Sequence, residues 1–190
     1  MKKELKNLHL INIDEYLHEI RLLYAFCGEN KSRPGIYKSL YVDFYNGKIR
    51  ICSTNGWCLC RLCIDDNNKN LESGNWVAEE VSENRLLLYK NDRDFPNYEH
   101  VMPKISEYTV IRRTTKACAI IGILGISGIV IDSELATPII RYSEEGQKLF
   151  SLYVSKKEPE RRPVLISTSD GKIEIVIAPL RPELINEGTP

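Results

Sequence analysis

Four thiols crowd one stretch of the chain: Cys52, Cys58, Cys60 and Cys63 all lie within SLYVDFYNGKIRICSTNGWCLCRLCI (39–64). Cys60-x-x-Cys63 has the spacing of a zinc-ligand pair, and four thiolates suffice for one ion. The same stretch holds two turn signals, Asn46-Gly47 and Asn55-Gly56, between runs of β-branched, aromatic and thiol residues. Asn-Gly takes the positive φ angles of a tight hairpin turn. Three antiparallel strands are therefore expected, at 39–45, 48–53 and 57–64. Side chains alternate along a strand, so Cys58 and Cys60 share one face while Cys63 takes the other. One strand cannot easily aim all of these thiols at a single ion, and small buried thiols are the favoured account. A redox Cys-x-x-Cys opens a helix, whereas this one lies in a strand.

The other reactive side chains form no set. His9, His18 and His100 are scattered. Asp43, Asp132, Ser133 and Glu134 supply no nucleophile with a base and an orienting partner. Gly122-x-x-Gly125-x-x-Gly128 lacks the Lys-Ser/Thr of a phosphate loop and reads as helix packing and termination. Lys156-Lys157 and Arg161-Arg162 form a basic loop, but Glu158 and Glu160 interrupt it, so a solvated loop is expected. No catalytic residue, metal or cofactor is expected, with an unrelated zinc protein or enzyme as the alternative.

The elements that would position these groups alternate in type. The first third reads as a strand at 5–12, a helix carrying Ile13, Leu17, Ile20, Leu23 and Tyr24 at helical spacing and stopped by Gly28, then the three-strand meander. Residues 67–105 read as a connector, with a strand expected at 85–90. Residues 107–113 alternate as a strand, and 114–124 form an apolar helix with a threonine N-cap. GIVIDSE, ATPIIRYS, LFSLYVS, PVLISTS and KIEIVIAPL then read as strands, with a hairpin turn at Ser169-Asp170-Gly171. The architecture repeats, strand–helix–strands twice. It predicts a single α+β domain: a first βαβββ unit over 1–66, the connector over 67–105, a second unit over 106–185 and a tail over 186–190.

Totals agree with an ordinary soluble domain. The chain has 190 residues, 43% hydrophobic and 27% charged, with 26 basic and 26 acidic side chains in balance. That balance removes any overall pull toward nucleic acid. No apolar run spans a bilayer and the N-terminal stretch lacks the apolar core of a signal peptide, so a cytoplasmic protein free of membrane partners is expected.

Three separated segments carry a family likeness. Ser53-Thr54-Asn55-Gly56-Trp57-Cys58-Leu59-Cys60, Phe95-Pro96-Asn97-Tyr98-Glu99-His100-Val101-Met102-Pro103-Lys104 and Ile177-Ala178-Pro179-Leu180-Arg181 occur in that order. They resemble the A-T-D-G-H-R-L-A, F-P-D-Y-R-R-V-L-P-K and V-M-P-M-R-L segments of the bacterial sliding clamp, the beta subunit of DNA polymerase III. The resemblance implies a DNA-clamp fold with helices on one face of antiparallel sheets. It also implies a pocket for linear peptides of polymerases, the clamp loader or repair proteins. Carried over by position, that pocket draws on Thr54, Gly56, Trp57, Cys58 and Leu59 from the turn. Pro96, His100 and Val101 come from the middle segment, Val176, Ala178, Pro179, Leu180 and Arg181 from the C-terminal strand, and Tyr37 from ahead of the meander. Such a site suits an extended peptide with hydrophobic anchors and calls for no reaction.

The departures have consequences. Trp57-Cys58 stands where the family has His-Arg, and Ala178 where it has Met, so a cation is lost and the pocket changes shape. A family subunit has three clamp domains, so a ring around double-stranded DNA would need several copies of this chain. The inner helices offer DNA only a thin basic surface, Arg112, Arg113 and Lys116. A clamp-like decoy or regulator competing for the same peptides is the alternative within the family.

Overall fold

Alternating apolar residues build the expected meander, which begins at Tyr41 rather than at 39 and runs one residue further, to Asp65. The computed structural model describes residues 8–12, 16–28, 40–45, 47–65, 76–82, 85–90 and 97–180. The chain divides into two compact units, Met1–Gly56 with Cys60–Pro96, and Trp57–Leu59 with Asn97–Pro190.

In the first unit the order is β1 (Leu8–Asn12), α1 (Leu17–Ala25), β2 (Tyr41–Tyr45), β3 (Lys48–Thr54), β4 (Cys58–Asp65, whose first two residues group with the second unit), β5 (Trp76–Ser82) and β6 (Arg85–Lys90). Of the apolar face expected of α1, Ile20 and Leu23 are buried while Leu17 and Tyr24 are half-buried and Ile13 lies outside the described residues; Leu22 and Phe26 join the buried face. It packs on β3, where Ile49, Ile51 and Cys52 are buried. Across β2 and β3, Val42 faces Ile51 and Asp43 faces Arg50. The guanidinium grips that carboxylate through two bonds of 2.7 and 2.8 Å. Such a forked, half-buried pair fixes the register of the hairpin as well as adding attraction. Strand β6 stands at the 85–90 expected within the connector, and β5 adds a strand that the sequence left undecided. They form a separate antiparallel sheet in the order β1-β6-β5.

The second unit comprises β7 (Tyr108–Thr115), α2 (Ala117–Ile126), α3 (Ser133–Glu145), β8 (Phe150–Ser155), β9 (Val164–Thr168) and β10 (Ile173–Ile177). Its sheet runs β10-β9-β8-β7, antiparallel at each pairing. Helix α3 corrects the expectation of strands at ATPIIRYS. Pro138 sits inside the helix, where its missing amide leaves only one turn unbonded. The winning signal is helical spacing: Leu135, Ala136, Ile139, Tyr142 and Ser143 are the buried face. The Asp132 carboxylate caps the start by accepting from Glu134 N at 2.8 Å. Tyr142 meets the fully buried Phe150 edge to face, ring centres 6.1 Å apart, which ties α3 to the sheet.

Helix α2 is also shifted from its expected start, and no threonine caps it. Thr115 ends β7, and the residue ahead of the helix is Lys116, whose side chain makes no cap bond. The first helical amide is satisfied from α3 instead, Ala117 N donating to Ser143 Oγ at 3.2 Å. A buried acceptor from a neighbouring helix does here what a local cap does elsewhere. Among the described residues no helix is long and apolar enough to cross a membrane.

Candidate functional site

The turn between β3 and β4 is the first component. It has three residues, 55–57, rather than the two expected of a type I′ hairpin. Gly56 takes the left-handed conformation, φ 92°, and its amide donates to Thr54 Oγ1 at 3.0 Å. This local hydroxyl turn replaces the expected Asn-Gly geometry. Next comes Trp57, 65% exposed, and then Cys58 and Leu59, both buried. Cys58 thus offers a thiol to the core rather than to a ligand, and burial pushes its pKa upward so that it stays protonated at neutral pH. Cys52 and Cys60 are also buried, Cys63 half-buried. Among the described residues no cluster of His, Cys, Asp and Glu is arranged to hold a metal.

The C-terminal segment is the second component, and it meets the turn. Val176 and Ile177 are buried at the end of β10, while Ala178, Pro179 and Leu180 are half-buried. Ala178 N donates to the Trp57 carbonyl at 2.9 Å, and Leu180 N donates to the Val130 carbonyl at 2.7 Å. Pro179 sits between these donors and has no amide of its own to satisfy. Two backbone bonds therefore pin 178–180 as a fixed ledge. The two bonds set the backbones of Trp57 and of the 41% exposed Val130 beside the half-buried Pro179 and Leu180, an apolar shelf on the second unit. Val130 was not expected at the site. Only its place after Gly128, in a stretch misread as strand, could have pointed to it.

The middle segment is the third component. Asn97 Oδ1 accepts from Glu99 N at 3.2 Å and starts a short 3₁₀ turn, Tyr98–His100. Tyr98 is its buried anchor. His100 and Val101 are exposed and line a cleft of about 700 Å³, whose other walls are the start of β7, the end of β8 and the loop before β9. Of the remaining expected site residues, Thr54 and Gly56 group with the first unit. Tyr37, Pro96 and Arg181 lie outside the described residues. Arg112 and Arg113 on β7 and Lys116 before α2 are all exposed. The backbone between them is irregular, with register shifts in β7 and a left-handed Thr114, φ 53°.

These features define the class: an α+β protein with the sliding-clamp fold. The particular likenesses are to bacterial DNA polymerase III beta subunits. The chain is similar to the subunit from Pseudomonas aeruginosa, with a TM-score of 0.62 at 10% identity over 92% of this chain and 66% of that one. It is equally similar to the Caulobacter crescentus subunit, with a TM-score of 0.62 at 13% identity over 93% and 67%. A sliding clamp from Bartonella birtlesii, solved bound to griselimycin, matches at 0.61 and 9% identity over 95% and 68%. At these identities the shared property is the fold, and this chain spans about 66% of the first structure's length. No protein-family model matches the sequence, and no curated protein matches it either.

Proposed function

We propose that this chain is a peptide-docking module of DNA replication or repair: it captures linear motifs of polymerase, clamp-loader or repair proteins, in the cytoplasm and without catalysis. The observation that carries this reading is the Ala178–Trp57 backbone bond. It holds an exposed aromatic beside a rigid proline-bearing ledge, on a fold shared with DNA polymerase III beta subunits. A rigid aromatic next to a preformed apolar ledge suits hydrophobic anchors of an extended peptide, because little side-chain freedom is lost on docking.

Fluorescence anisotropy with a labelled peptide bearing leucine and phenylalanine anchors tests the proposal. Saturable binding by the wild type, weakened in both Trp57→Ala and Pro179→Ala, is the expected result. Absence of binding, or binding indifferent to both substitutions, removes the docking site. Encirclement of double-stranded DNA is a separate part of the proposal, requiring several copies and using Arg112, Arg113 and Lys116. Light scattering after size exclusion decides it, since a strict monomer leaves no ring while the docking site stands.

A further inference from the structure

The cleft beside His100 and Val101 carries an inference that deepens the docking proposal and rests on it. Its lining contains Lys104, Lys156, Lys157 and Arg162 against a single carboxylate, Glu107. Among the described residues no carboxylate pairs with Lys104, Lys157 or Arg162. The walls are preformed. Lys156 Nζ donates to the Ser106 carbonyl at 2.9 Å and Lys156 N to the Glu107 carbonyl at 3.0 Å. Opposite them, the Tyr108 hydroxyl donates to the Pro163 carbonyl at 2.8 Å. The cations therefore stand on a braced rim rather than on a loose loop. Between them lie apolar surfaces, Val101, Met102, Pro103 and Pro163.

We infer that this cleft binds the acidic flank of the partner peptide, with aspartate or glutamate side chains against Lys157 and Arg162 and apolar side chains against the prolines. Three features favour this occupant. The charge is complementary, and convergent cations in a concave site strengthen attraction for carboxylates. The volume, about 700 Å³, lies within the range of about 300–1,000 Å³ that encloses a compact ligand segment. The alternation of cations with Met and Pro surface fits a chain with both acidic and apolar side chains. A duplex backbone offers phosphates but nothing for the apolar surfaces to cover.

The experiment compares two labelled peptides that share the same anchors, one flanked by aspartates and the other by serines, on the full chain. The aspartate form is expected to bind roughly five- to tenfold tighter, as a few partly exposed ion pairs supply. The Lys157→Glu/Arg162→Glu double variant abolishes that difference and leaves the serine form unchanged; both side chains are exposed, so the fold persists. Equal affinity of the two peptides overturns the inference while the docking proposal stands. Failure of both peptides to bind removes the docking proposal and this inference with it. A short duplex oligonucleotide that binds through Lys157 and Arg162 and is not displaced by the aspartate peptide assigns the cleft to nucleic acid and also overturns it.

Discussion

At Trp57 the backbone holds apolar side chains at the surface; at Lys156 it holds charges. Both regions belong to the second unit and both are braced by main-chain acceptors, Trp57 and Val130 carbonyls in one case, Ser106 and Glu107 carbonyls in the other. The difference lies in what is left for a partner. Around Trp57 that is area: an exposed indole with a proline ledge, whose attraction is non-directional and is not weakened by ionic screening. Around Lys156 it is charge, which contributes less to affinity than to the choice and orientation of partner. A site made of both gains strength from the first and selectivity from the second.

The largest expected effect removes the support that the two regions share. Phe150 is fully buried and is the contact of Tyr142 with the sheet. Phe150→Ala should cost about 3–5 kcal/mol in urea denaturation, through lost burial and the cavity left behind. Affinities for both peptide forms should fall together with the folded fraction. If one region outlives the other, they are not carried by a common core.

The next largest separates them. Trp57 is 65% exposed, so Trp57→Ala should leave the denaturation midpoint nearly unchanged. Peptide affinity should drop by about 30-fold, the scale of an aromatic hot spot of about 2 kcal/mol. The preference for the aspartate-flanked over the serine-flanked peptide should survive, because the cleft is untouched. Loss of that preference would make the two regions one coupled site.

How far the sequence disclosed each region follows from how each is built. The shelf rests on local signals, a glycine turn and a strand ending in Ala-Pro-Leu, and both the meander and β10 were readable from alternation. Its third wall, Val130, comes from a loop just ahead of α3, and both the loop and the helix were read as strands. The cleft was not legible, because it joins residues 100–108 to 155–163 across the width of β7 and β8. Along the chain, Glu158 and Glu160 dilute Lys156, Lys157 and Arg162 into a neutral-looking run. In the fold Glu158 instead takes a left-handed turn, φ 50°, whose carbonyl accepts from Arg161 N and Arg162 N. The cleft wall then holds Lys156, Lys157 and Arg162 and neither glutamate. Sequence neighbours stop being charge neighbours at such a turn, and only the pairing of strands shows it.

A smaller effect tests whether stability can be lowered without touching either region. Ser143 is buried; its hydroxyl accepts from Ala117 N and donates to the Lys148 carbonyl at 2.8 Å. Ser143→Ala leaves both backbone groups short of a partner and should cost about 1–2 kcal/mol in the same denaturation assay. Peptide affinities under folding conditions should be unchanged. A shift in either would show that the start of α2 helps to shape a binding surface.

The smallest effect concerns a charge committed to the fold rather than offered to a partner. Asp170, in the turn from β9 to β10, is pulled upward by partial burial. It nevertheless sits below the usual carboxylate range, because the Thr168 hydroxyl and Lys172 amide donate to it and Lys148 and Lys172 lie nearby. A depressed folded pKa means that the carboxylate stabilises the native state above its unfolded pKa of about 3.9, and that this contribution fades as pH falls through the folded value. The side chain is 40% exposed, so solvent screening keeps the contribution under about 1 kcal/mol. Asp170→Asn retains an oxygen for Thr168 and Lys172, so it removes the charge and little else. The variant should be slightly less stable than wild type near neutral pH and indistinguishable from it in acid, below the folded pKa. A deficit that persists in acid would assign the role to hydrogen-bond geometry alone. In that case charge at the β9–β10 turn contributes nothing to the fold, and the contrast with the open cations of the cleft is lost.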